Sequence, residues 1–401
     1  MLLAGFLLLT GCPSEQKGQA ASGEKEAVPA TRAKDELAKA EEEARALPGA
    51  ETATASVSGK SDPLCVGRFE LAPPTTRKVG AFDAEIAGYK VTLTGPTGPL
   101  VLGVLSDIKE DTPENLFNLK RYVKWFKDKG VQAVLVAGDT GETEDAIVHA
   151  LTVLAEPGWP VFVIIGNREA RSVFADALST VQEKHPNVFN LNVRRLVQLP
   201  GLAVLSLPGY HDPRFIHAET GCQYFIEDVK ALEKVAAEEA KGPALLISHG
   251  PPRGADPQAI DYAVEAGNVG DPNINALIET AKIPFGVFGN IHEAGGKATD
   301  LTGKNIVPEK TFVDHLYLNP GPADSIPWKM NDGTESQGMA AVLTVKDGKA
   351  AYEIYRAPAL TDAERAEAQK LAASLAKAEA PAAQAAEGTA SGKATAGAGG
   401  N

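Results

Sequence analysis

From residue 100 onward, short apolar runs alternate with longer stretches that are apolar on one side only. Residues 101–105, 131–136, 161–165, 202–207 and 244–247 are β-rich apolar runs that read as buried strands. Between them, residues 114–129 place Leu116, Leu119, Val123 and Phe126 on one helical face. Helices are likewise predicted over 144–154, 170–183, 225–240 and 274–281. Residues 285–288 and 316–319 continue the strand pattern, and 340–345 with 351–355 form a hairpin turned at Lys346-Asp347-Gly348-Lys349. Ahead of this body, residues 61–99 hold short β-like pieces such as 89–93 between Gly/Pro turns, predicting a small β extension. Two sheets packed face to face, with helices outside, accommodate the alternation.

The ends of the chain differ in character. Residues 2–9 are apolar but too few to span a bilayer as a helix. They run into Leu9-Thr10-Gly11-Cys12, which resembles the lipobox of bacterial lipoprotein signal peptides, although no Lys or Arg precedes the apolar run. That resemblance implies a signal peptide over 1–12 and lipid on Cys12. It also implies membrane tethering at the bacterial cell envelope, with Pro13 pointing to the outer membrane. Residues 13–60 are rich in Ala, Glu, Lys, Ser and Gly and read as a disordered tether. At the other end, Thr361 and Glu364 form a capping box that opens a helix predicted within 358–379, followed by a low-complexity tail over 380–401. With Cys12 lipidated, Cys65 and Cys222 remain as an even pair in an oxidising compartment. Whether their Cβ atoms meet to form a disulfide is not readable from sequence. The net charge of −13, with no basic cluster, argues against nucleic acid as a partner.

Candidate chemistry sits in five short segments, each after an apolar run. They are Ser106-Asp107-Ile108-Lys109, Gly138-Asp139, Gly166-Asn167-Arg168-Glu169, Ser248-His249-Gly250 and Gly289-Asn290-Ile291-His292. Strand ends are where loops converge on one edge of a sheet, so ligands for one site arise there. In this order the segments resemble the metal-site motifs of calcineurin-like metallophosphoesterases, over residues 100–357. Pro320-Gly321 after Asn319 resembles that family's downstream turn. The resemblance implies an αββα four-layer sandwich of two mixed β-sheets flanked by helices. It also implies hydrolysis of a phosphomonoester or phosphodiester by metal-activated water. Carried over residue by residue, Asp107 and His292 would bind a first metal, Asp139 would bridge, and Asn167, His249 and Asn290 would serve a second.

Three positions depart from the family pattern. Lys109, Arg168 and Asn290 stand where histidines are expected. A protonated Lys109 has no lone pair, and its ammonium is expected to replace the first metal's charge by pairing with Asp107 and Asp139. Arg168 cannot act as a proton donor near neutral pH but can clamp phosphate oxygens. The Asn290 amide oxygen is a hard, neutral donor, which favours Mn²⁺ or Mg²⁺ over Zn²⁺ or Fe²⁺ at one or two sites. Tyr210 to Arg214 follow a strand and either line the same pocket or form a solvated loop. Two functional readings stay open: a metal-dependent phosphoesterase with a phosphate-containing small molecule or ester as substrate, or a catalytically impaired relative that binds a phosphorylated ligand or a protein partner. A purely structural lipoprotein is the third.

Overall fold

Alternation of side chains along the strands builds two hydrophobic layers. In the strand Ala133–Val136, Ala133 and Leu135 face one layer while Val134 and Val136 face the other. Strands buried on both faces in this way require a cover on each side. The computed structural model describes residues 55–390. The proposed signal peptide, Cys12, most of the tether and the last residues of the tail lie outside the described residues.

The first sheet has six strands in the order Lys349–Arg356, Met339–Lys346, Leu100–Leu105, Ala133–Val136, Val161–Val163, Val188–Asn190. From Leu100–Leu105 outward the pairings are parallel, while the C-terminal hairpin adds antiparallel. The second sheet has ten strands and is also mixed. Its parallel centre is Leu202–Leu207, Ala244–Ser248, Phe285–Val287 and Leu316–Asn319. Leu102, Leu135 and Phe162 of the first sheet share a core with Val204, Leu245, Phe285 and Leu318 of the second, so the sheets pack face to face. Helices Pro113–Asp128, Glu144–Ala155 and Arg171–Lys184 connect the parallel strands of the first sheet; Ile226–Glu239 and Pro272–Thr280 do so in the second. The result is an α/β protein of two mixed sheets flanked by helices.

Three further segments flank this central body. Strands Thr75–Val79, Phe82–Ala87 and Lys90–Thr94 lie in the region read as a small β extension. They are the edge of the ten-stranded sheet, joined through Lys90–Thr94 to the parallel partner Leu196–Leu199. Residues at the end of the expected tether are also tied to the body. Ser56 N donates to Asp271 Oδ1, and Gly59 N donates to Glu227 Oε2. A disulfide joins Cys65 to Cys222 and anchors this segment. The C-terminal helix opens on the expected reciprocal cap between Thr361 and Glu364 and runs Asp362–Ala390, into the stretch expected to be disordered.

Candidate metal centre

All five segments lie at the C-terminal ends of parallel strands, three from the first sheet and two from the second. The chain must turn sharply at each end to aim a side chain back across the sheet edge. Asp107, Lys109, Asp139 and Asn290 all adopt φ between 53° and 66°, the left-handed region that non-glycine residues rarely occupy. Strain concentrated at three strand ends is the pattern of a functional site held by its surroundings. Two glycines make room for the acids. A Cβ on Gly166 would lie 2.1 Å from Asp139 Oδ1, and one on Gly289 would lie 2.8 Å from Asp107 Oδ2.

Asp107, Asp139 and His249 converge, fully buried, with one ligand atom from each lying within 4.8 Å of the others. Asp139 Oδ1 accepts from the backbone N–H groups of Asn167 (3.0 Å) and Arg168 (3.1 Å). Burial alone would raise the Asp139 carboxyl, but His249 and Arg168 beside it hold it well below the usual carboxylate range. His249 Nδ1 donates to the Ala137 carbonyl at 2.8 Å, across the gap between the sheets. That bond fixes the tautomer and leaves Nε2 facing Asn167 Oδ1 (3.1 Å) and Asp139 Oδ1 (3.3 Å). A histidine tied through one nitrogen, with the other aimed at two oxygens, is how a protein presents imidazole to a divalent ion. The donor set Asp107, Asp139, Asn167 and His249 therefore fits one such ion.

The remaining candidates are engaged differently. Asn290 N donates to Asp107 Oδ2, and its side-chain oxygen accepts from Asn167 Nδ2 at 3.1 Å. Lys109 does not pair with Asp107 or Asp139. Its nearest carboxylate is Asp324, at 3.0 Å, with 6% and 0% of the two side chains exposed. Asp324 was not singled out in the sequence because it lies far along the chain, just past the Pro320-Gly321 turn. Its backbone N–H donates to the Asp107 carbonyl, and that contact brings it in. Lys109 Nζ also lies 3.4 Å from His292 Nδ1 and 4.2 Å over the Trp328 ring. An ammonium only donates, so His292 Nδ1 accepts and its Nε2–H donates to Asp107 Oδ1 at 3.1 Å. The ring packs on Trp328 at 4.3 Å between centroids. Where the family pattern would put a first metal, this chain has an ammonium and a chain of hydrogen bonds.

Arg168 sits at the open side, its guanidinium paired with Glu142 through Nε at 2.6 Å and through Nη2. Glu169 closes the third segment. It is buried and accepts from Gly166 N and Thr140 N, bracing two strand ends. Burial and the neighbouring Asp139 charge push its carboxyl up to about 8, against those two bonds. Tyr210 does reach the site: its hydroxyl accepts from Asn290 Nδ2 at 2.9 Å.

No family model matches the chain, and no curated protein sequence matches it either. Among solved structures, it is similar to a dimetal phosphatase from Danio rerio, at 11% identity over 65% of this chain and 99% of that one, TM-score 0.42. It is also similar to GAP50, the anchor in the inner membrane complex of Plasmodium, at 13% identity over 70% and 95%, TM-score 0.40. A phosphopantetheinyl hydrolase from Mycobacterium tuberculosis matches at 16% identity over 56% and 90%, TM-score 0.34. All three scores fall below 0.5, so the functional reading rests on this chain's own residues.

Proposed function

We propose that the protein is a divalent-metal-dependent phosphoesterase of the calcineurin-like type that holds a single ion. The carrying observation is the convergence of Asp107, Asp139, His249 and the Asn167 oxygen from four strand ends, with His249 Nδ1 tied to a carbonyl. Three oxygens and one nitrogen favour Mn²⁺ or Mg²⁺ over Zn²⁺. When bound, the ion would polarise a phosphoryl oxygen and lower the pKa of water. Lys109 supplies fixed positive charge on the Asp107 side of the site. Arg168, half-buried and partnered by Glu142, can exchange that carboxylate for phosphoryl oxygens in the same fork geometry.

The substitutions also favour a second reading, a binder of phosphorylated ligands with little turnover. Arg168 replaces the group that would assist the leaving oxygen, and a guanidinium does not give up its proton. Chromogenic phosphomonoesters and phosphodiesters, assayed with Mn²⁺ or with chelator, separate the two. Metal-dependent turnover abolished by Asp139→Asn supports the hydrolase. Phosphate binding that survives with no turnover supports the binder.

At the cell level, we propose an exported, lipid-anchored protein. Support comes from the lipobox-like sequence ending at Cys12 and from the disulfide, since disulfides persist in oxidising compartments. Among the described residues no helix is long and apolar enough to cross a membrane. Loss of membrane association in Cys12→Ser cells, with the protein still exported, is the expected result.

A further inference from the structure

Asn167 offers an ion either an oxygen or an NH₂ group, and only its orientation decides which. The loop between strand Leu202–Leu207 and helix Ile226–Glu239 controls that orientation from both sides. The Phe215 carbonyl accepts from Asn167 Nδ2 at 2.8 Å. A carbonyl cannot donate, so the NH₂ end of Asn167 is committed there and its oxygen faces His249 Nε2. The second proton of that NH₂ goes to Asn290 Oδ1, which turns the Asn290 NH₂ toward the Tyr210 hydroxyl oxygen. The same loop thus supplies both acceptors that bracket the amide pair.

The loop itself is pinned. Tyr210 N donates to the Cys222 carbonyl at 2.9 Å, and Tyr224 N donates back to the Tyr210 carbonyl at 3.1 Å. His217 N donates to the Asn167 carbonyl at 2.9 Å. Cys222 is bonded to Cys65. Tyr210 is itself 2% exposed, packed on His211 with ring centroids 4.6 Å apart, so its hydroxyl has little freedom to move.

We propose that Tyr210 is a positioning residue for the ion: its hydroxyl holds the Asn290 side chain in place, so that Asn290 Oδ1 and the Phe215 carbonyl together occupy both protons of the Asn167 NH₂ and keep the Asn167 oxygen toward the site. This rests on the single-ion reading above. Outer partners that orient metal ligands typically change affinity by about 10- to 100-fold when removed. Mn²⁺ binding is therefore measured by electron paramagnetic resonance on the disulfide-intact protein. Tyr210→Phe, which deletes only the hydroxyl, is expected to weaken Mn²⁺ about 10-fold or more while thermal unfolding of the metal-free protein changes little. An Asn167→Asp background supplies the control, because a carboxylate presents oxygen at both ends and needs no orienting. There, Tyr210→Phe is expected to cost less than about 2-fold, a coupling that a packing defect would not produce. Wild-type Mn²⁺ affinity unchanged by Tyr210→Phe, or an equal loss in both backgrounds, overturns the role of Tyr210 and leaves the ion site standing. A wild-type protein that binds no Mn²⁺ overturns the site and this inference together.

Discussion

Replacing Lys109 with methionine strands a carboxylate in the interior. The Lys109 and Asp324 side chains are 6% and 0% exposed and meet at 3.0 Å. Removing one partner of a buried pair costs about 3–5 kcal/mol, because the survivor keeps its desolvation penalty and loses its counter-charge. Asp324 still accepts from Trp328 Nε1 and from Ile326 N, which places Lys109→Met near the low end, at about 3 kcal/mol. Asp324→Asn keeps an amide oxygen for those donors, and the double variant carries neither charge. Swapping a whole buried pair for neutral groups is often close to neutral, so the double variant should lie within about 1 kcal/mol of wild type. The cycle then closes with a coupling of at least about 2 kcal/mol. Guanidinium unfolding followed by tryptophan fluorescence measures all four proteins, with Trp328 reporting from 4.2 Å beside the Lys109 ammonium. A Lys109→Met cost under about 1 kcal/mol, or a double variant as unstable as the summed singles, would mean that Lys109 and Asp324 form no stabilising pair. Lys109 would then not be the built-in cation that closes the first-metal position.

Three further outcomes are expected. Reducing the Cys65–Cys222 bridge frees a segment with a sequence separation of 157. Chain entropy sets an upper value of about 5 kcal/mol, so unfolding with and without reductant should differ by about 2–5 kcal/mol, and a difference near zero contradicts this. Gly166→Ala forces a methyl group against Asp139 Oδ1, so calorimetric Mn²⁺ affinity should fall about 10-fold or more in a protein that still folds. Glu169 is raised from its ordinary 4.5 to about 8 in the protein without an ion. Its stabilising contribution is therefore fully present below the lower value and is lost as pH rises through the upper one. Metal-free unfolding free energy should fall between those limits, and Glu169→Gln should flatten the slope; an unchanged slope counts against the shift.

The layered architecture was legible because both signals that build it are local. Apolar runs such as 133–136 announce strands buried on two faces, and the Leu116, Leu119, Val123, Phe126 spacing announces the helix that covers one of them. The candidate site residues were legible by their place alone, each directly after a strand. Pairings across the fold were not. Lys109 meets Asp324, 215 positions away, only because the Asp107 and Asp324 backbones touch. The destination of an amide is equally hidden: Asn290 reads as a donor to metal, yet in the fold its oxygen serves Asn167, whose NH₂ is turned that way by the Phe215 carbonyl. The strands between residues 75 and 94 read as a small β extension, but the sheet edge they join was not legible, because their parallel partner, Leu196–Leu199, comes a hundred residues later.

The proposed site holds a single divalent ion at the junction of the two sheets. The most direct measurement is metal content by mass spectrometry of the soluble body after incubation with Mn²⁺, Mg²⁺, Zn²⁺ or Fe²⁺. One ion per chain, with Mn²⁺ or Mg²⁺ retained and Asp139→Asn losing it, is the predicted result. No stoichiometric ion with any of the four metals, or equal loading of Asp139→Asn, would contradict it.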